Sequence, residues 1–318
     1  MDVRTRVLRS LAVATATALL LTLALATGTR AQSAAPSAAQ VRELTSGGIV
    51  RTYRVFHPAS AGAHPPLVIM LHGGFGSGAQ AESAYGWDAV AAQHGFVVVY
   101  PDGVGRAWNA GRCCGRPYEQ KIDDVAFLTA VIRDAEQRDG ADPRRVYVTG
   151  MSNGAIMAYR FACEAPVAVA AIGPVAGDLE VSCTAPHGPV SVLAIHGAAD
   201  HNVPIAGGYN SAGVTHTDHT SVADSLARWR AIDRCGAPAV DRRPPLTTET
   251  SRCDGGDEVD LVTIDGAGHQ WPGGTKIAHP GAARLLGLDQ PSSALDATAA
   301  LWDFFSRHTS RASGASGG

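Results

Sequence analysis

The sequence predicts an α/β fold, a mostly parallel central sheet with helices on both faces. Short apolar, β-branched runs alternate with helical patterns along the chain, and each run is followed closely by Gly, Asp or His. The runs span 66–71, 96–100, 145–149, 170–175, 190–195 and 260–264, and the helical patterns 88–94, 123–138, 154–163, 220–233 and 294–307. In such sheets ligands bind at the carboxyl ends of the strands, so the residues just after each run are where function is expected.

A chain of 318 residues, 45% hydrophobic and 17% charged, can bury one large core, which makes a single enzyme-sized domain the default. The formal charge of -3, with no Lys/Arg stripe, gives no footprint for nucleic acid. Arg4, Arg6 and Arg9 precede an apolar run over 11–26, and Thr29-Arg30-Ala31 fits a small-x-small cleavage site, so residues 1–31 read as a signal peptide. Residues 32–50 then form a flexible lead-in, 51–308 the catalytic domain and 309–318 a disordered Ser/Gly/Ala tail. Secretion is therefore expected, with no membrane association once the signal is removed.

Export favours disulfides among Cys113, Cys114, Cys163, Cys183, Cys235 and Cys253. Proximity along the chain suggests Cys163 with Cys183 and Cys235 with Cys253, leaving Cys113 and Cys114. No Cys-x-x-Cys or His-x-x-x-His spacing supports a metal, and neither metal nor cofactor is expected.

After the run at 145–149 comes Gly150-Met151-Ser152-Asn153-Gly154, followed at once by a helical pattern. This is Gly-x-Ser-x-Gly between strand and helix, the setting in which a sharp turn strains the serine backbone and exposes its hydroxyl at the rim of the sheet. A serine hydroxyl is a weak nucleophile and needs a base, itself oriented by an acid. The α/β-hydrolase fold supplies them in the order Ser, acid, His. The run at 190–195 leads to Asp200, and the last run leads to Gly268-His269, giving Ser152, Asp200 and His269. Asp178, after the preceding strand, is the rival acid. Asp123 and Asp124 open a helix, where capping suffices. His72 and His196 read as structural, and His201, His216 and His219 as residues of a solvated polar loop.

Acyl transfer needs donors for the developing oxyanion. The N–H of Asn153 and the N–H of Gly74 in Leu71-His72-Gly73-Gly74-Phe75-Gly76 are the candidates, with Phe75 as an alternative to Gly74. No lysine follows this loop, which argues against a nucleotide-phosphate cradle.

With these residues in hand, the chain resembles exported poly(3-hydroxybutyrate) depolymerases and feruloyl or acetylxylan esterases. The pieces that carry the resemblance are Leu71-His72-Gly73-Gly74, Tyr100-Pro101-Asp102-Gly103, 108–115, Asp123-Asp124-Val125, the Ser152 pentapeptide, His196-Gly197 with Asp200, and Gly268-His269 with Trp271-Pro272-Gly273. The resemblance implies the same triad, and it implies that Trp108 and Trp271 line the substrate cleft. The substrate would be an ester, either a hydroxyalkanoate oligomer or a plant cell-wall ester. We recognise no linker to a polymer-adhesion domain, which favours soluble oligomers or side-chain esters. Two competing readings are an exported serine peptidase of the same fold and a catalytically silent binding module that keeps it.

Overall fold

In the computed structural model, which describes residues 39–184, 186–210, 217–276 and 289–311, all six apolar runs form strands. The elements in chain order are β1 (Gln40–Ser46), β2 (Ile49–Phe56), β3 (Leu67–Leu71), α1 (Gly78–Tyr85), α2 (Trp87–His94), β4 (Val97–Pro101), α3 (Gly115–Glu119) and α4 (Asp124–Asp139). There follow β5 (Val146–Met151), α5 (Asn153–Glu164), β6 (Ala171–Val175), β7 (Ser191–Gly197), β8 (Gly208–Tyr209), β9 (Asp218–His219) and α6 (Val222–Ile232). The last are β10 (Ala239–Arg243), β11 (Leu246–Arg252), β12 (Glu258–Ile264) and α7 (Ala297–Phe305).

Ten strands form one sheet in the order β1-β2-β4-β3-β5-β6-β7-β12-β11-β10. The central strands from β4 to β12 are parallel, with β2 and β11 joining them antiparallel on either margin. Side-chain alternation decides where the helices pack. Leu67, Ile69, Val146 and Val148 point to the face covered by α4, α5 and α6, where they meet Phe127, Ile156 and Trp229. Val68, Met70, Val98 and Tyr147 point to the opposite face and meet Trp87 of α2 and Leu301 and Phe305 of α7. Buried on both faces, the parallel strands carry continuous apolar sequence, and burial of that surface contributes roughly 25 cal/mol per Å².

Two expectations about boundaries are corrected. The lead-in at 32–50 was expected to be flexible, yet from Gln40 it forms β1 and the start of β2, turning at Gly47 and Gly48 with φ 58° and 76°. This two-residue glycine turn matches the twist of a hairpin. At the other end, the N–H of Ser310 donates to Arg144 O at 2.8 Å and Arg311 pairs with Asp257, so the tail is tied down as far as 311. Residues 1–31 and 312–318 lie outside the described residues.

All six cysteines are disulfide-bonded: Cys163–Cys183, Cys235–Cys253 and the adjacent pair Cys113–Cys114. Such bonds fit an oxidising compartment. Among the described residues, no helix is long and apolar enough to cross a membrane.

Candidate active site

Ser152 sits between β5 and α5 with φ 56° and ψ −123°, a conformation that costs energy in any residue with a side chain. The flanking glycines allow the turn. A Cβ on Gly154 would stand 2.4 Å from Leu71 O, and one on Gly150 would stand 2.5 Å from the Gly154 backbone, so β3, β5 and α5 approach as closely as they do only without side chains there. The Ser152 N–H donates to Val175 O at 2.9 Å, fixing the turn on β6.

His269 follows β12 and Asp200 follows β7, neighbouring parallel strands. His269 Nε2 lies 2.8 Å from Ser152 Oγ, and His269 Nδ1 lies 2.7 Å from Asp200 Oδ2. Asp200 is buried, and its Oδ1 accepts the N–H groups of Asn202 and Val203, each at 2.9 Å. Burial pushes its carboxyl up, but the hydrogen bond and charge of His269, the nearby His196 and the Val203 N–H outweigh that and hold it below its ordinary value. The carboxylate is thus kept ionised, as orienting and compensating an imidazolium requires.

The rival acid is committed elsewhere. Asp178 lies 3.1 Å from Nδ1 of His219, and the sequence-based placement of His219 in a solvated loop is corrected, because His219 in β9 is buried against Asp178 of the loop after β6. Burial and a hydrogen bond shared with Asp178 push Glu180 up to about 7, and Arg112 caps Glu180 at 2.7 Å. Ligand atoms of Asp178, Glu180 and His219 lie within 4.8 Å of one another, the spacing of a metal site. Here the imidazole and the Arg112 guanidinium already answer the carboxylate charge. His201 is exposed, and His216 lies outside the described residues.

The loop after β3 carries the proposed oxyanion donor and is held by His72. This buried imidazole accepts the Gly103 N–H on Nε2 at 3.0 Å, so its proton sits on Nδ1 and donates to Gly73 O at 2.7 Å. Burial lowers the His72 pKa and favours this neutral form. The Phe75 N–H is taken by Arg106 O at 2.8 Å. Among the described residues no acceptor takes the N–H of Gly74 or of Asn153, the first residue of α5.

The two tryptophans do not form a cleft wall. Trp108 is 0% exposed with its Nε1–H on His72 O at 2.9 Å, and Trp271 is 1% exposed with its Nε1–H on Thr298 and its ring stacked on Tyr85. Both brace the loops from beneath, since neither ring presents a face to solvent.

Three supporting residues were not read from the sequence. The Asn153 side chain accepts the Trp108 N–H at 2.7 Å and donates to Trp108 O at 3.0 Å, clamping the loop after β4 to the residue next to Ser152. Asp124 does more than open α4. Buried and paired with Arg51 at 2.8 Å, it accepts the Asn109 N–H at 2.8 Å, whereas Asp123 is the cap. Asp289 accepts the His269 N–H at 2.8 Å. Asn153 was expected only for its backbone N–H and Asp124 only as a helix-opening residue, although both lie within motifs, and Asp289 lies in none.

Residues 51–215 match the family described as Esterase PHB depolymerase. The chain is 33% identical over 265 residues to NocK of Nocardia uniformis subsp. tsuyamanensis, which is named as an esterase, covering 76% of each chain. It is 30% identical over 216 residues to feruloyl esterase B of Piromyces equi, covering 64% of this chain but only 39% of that longer relative. The acetyl xylan esterase from Aspergillus awamori superposes with a TM-score of 0.54 at 15% identity, covering 78% of this chain and 99% of that one, a likeness of fold. The chain therefore has the α/β-hydrolase fold and belongs to the esterase family described as Esterase PHB depolymerase.

Proposed function

We propose that the protein is a secreted serine esterase that hydrolyses carboxylic esters through an acyl-enzyme, with Ser152 as nucleophile, His269 as general base and Asp200 as the orienting acid. The observation that carries this reading is the unbroken hydrogen-bond chain from Ser152 Oγ through the imidazole to Asp200, at 2.8 and 2.7 Å. Ser152 Oγ attacks the carbonyl carbon as its proton passes to His269 Nε2. The N–H groups of Asn153 and Gly74 receive the oxyanion, and His269 then returns the proton to the leaving alcohol. Water, activated by the same imidazole, attacks the acyl-enzyme and releases the acid. All of these steps use protein groups, so this chemistry calls for no metal or cofactor. The substrate class is a hydroxyalkanoate oligomer or a feruloyl or acetyl ester of the plant cell wall, by analogy with the names of the family and of its relatives. Residues 1–31 are removed on export.

A hydrolysis panel tests the reading: methyl ferulate, acetylated xylan, hydroxybutyrate oligomers, and a matched ester and anilide of one acyl group. Cleavage of the ester well ahead of the anilide is expected, with one natural class preferred. Faster cleavage of the anilide would favour a peptidase, and inertness toward every substrate a silent binding module.

A further inference from the structure

Exposed apolar side chains fall into two sets. Among the described residues the exposed aliphatics Val41, Ile49, Val50 and Val240 all lie on the antiparallel margins. The exposed aromatics are Phe75 in the loop after β3, Tyr118 in α3 and Tyr209 in β8, all in connections that leave the carboxyl ends of parallel strands, as Ser152, Asp200 and His269 do. A single exposed ring is ordinary on a protein surface, but Phe75 is unusual in a second way. It is 66% exposed and yet has φ 62°, a left-handed conformation that is a true outlier for a bulky residue.

The strain is held by hydrogen bonds to Arg106 and not by packing of the ring. The Phe75 N–H donates to Arg106 O at 2.8 Å, Arg106 itself has φ 64°, and its Nε–H donates to Gly76 O at 3.2 Å. A fixed, strained, solvent-facing ring next to Gly74 gives the fold no packing return, and strain of this kind concentrates where ligands are gripped. Geometry then selects the part of the substrate it meets. The leaving oxygen must face His269 Nε2 to take its proton, while the carbonyl oxygen faces Gly74 N–H. Of the two carbon-bearing arms the acyl substituent is the one not drawn to His269, and the loop after β3 runs beside Ser152, a Cβ on Gly73 standing 3.5 Å from Ser152 Cβ.

We propose that Phe75 is a specificity-determining residue, its ring packing against the acyl group of esters whose acyl portion is apolar and bulkier than acetyl. This rests on the reading of Ser152 as nucleophile. The test compares kcat/KM for methyl ferulate and methyl acetate, which share an alcohol, in the wild type, Phe75→Ala and Phe75→Gly. Both substitutions remove the ring, but glycine adopts φ near +60° freely and alanine does not, so glycine relieves the backbone strain and alanine retains it. The ferulate-to-acetate ratio is expected to fall about tenfold or more in both variants, mostly through KM. An active wild type whose ratio is unmoved in both variants, or moved in only one of them, would overturn the inference alone. A wild type inert on both esters, and unlabelled at Ser152 by a fluorophosphonate, would overturn the underlying reading and this inference with it.

Discussion

Ser152→Ala is expected to leave a folded protein whose ester turnover is lower by about three or more orders of magnitude. The hydroxyl makes its side-chain hydrogen bond to His269 Nε2, and its removal leaves a half-buried position filled by a methyl group of nearly the same size. Little stability is therefore at stake, and the melting temperature should hardly move. Steady-state hydrolysis of a p-nitrophenyl ester, read beside circular dichroism, checks both halves. Near-wild-type turnover in the folded variant would mean that some other group attacks the carbonyl.

The next largest effect concerns the acid. Asp200→Asn is expected to cost about three to four orders of magnitude in kcat, because an amide at this position can donate to Nδ1 and hold the imidazole in the wrong tautomer. Asp178→Asn is expected to cost far less activity and more stability. Asp178 is buried against His219, whose pKa burial lowers but the hydrogen bond and charge of that carboxylate raise above its ordinary value, and the substitution removes this partner from a buried imidazole. Paired assays of kcat and thermal midpoint separate the two roles. A larger loss of activity from Asp178→Asn would transfer the orienting role to the strand before.

The parallel strands, and the meeting of Ser152, Asp200 and His269 that they bring about, were legible in the sequence for one physical reason. Strands buried on both faces read as continuous apolar runs, and Ser152, Asp200 and His269 each follow such a run in a loop containing glycine or small residues. The margins were not legible. β1 and β10 pair along one edge only and present mostly polar side chains, so Arg42, Glu43, Asp241 and Arg242 give no apolar signal. Trp108 and Trp271 were misread because a motif tells that an aromatic is near the site but not which way its ring turns. His219 was misread because its neighbours Thr217, Asp218 and Thr220 are polar, while its partner Asp178 lies 41 residues away. Asp289 escaped notice for the same reason, its link to His269 being a contact across 20 residues.

The central claim is that His269 and Asp200 make one hydroxyl, that of Ser152, nucleophilic. Reaction with a fluorophosphonate followed by peptide mass spectrometry tests it most directly. A single adduct on the peptide carrying Ser152, forming far more slowly in His269→Ala, is the expected result. An adduct on another residue, or one on Ser152 that forms equally fast without the imidazole, would contradict it.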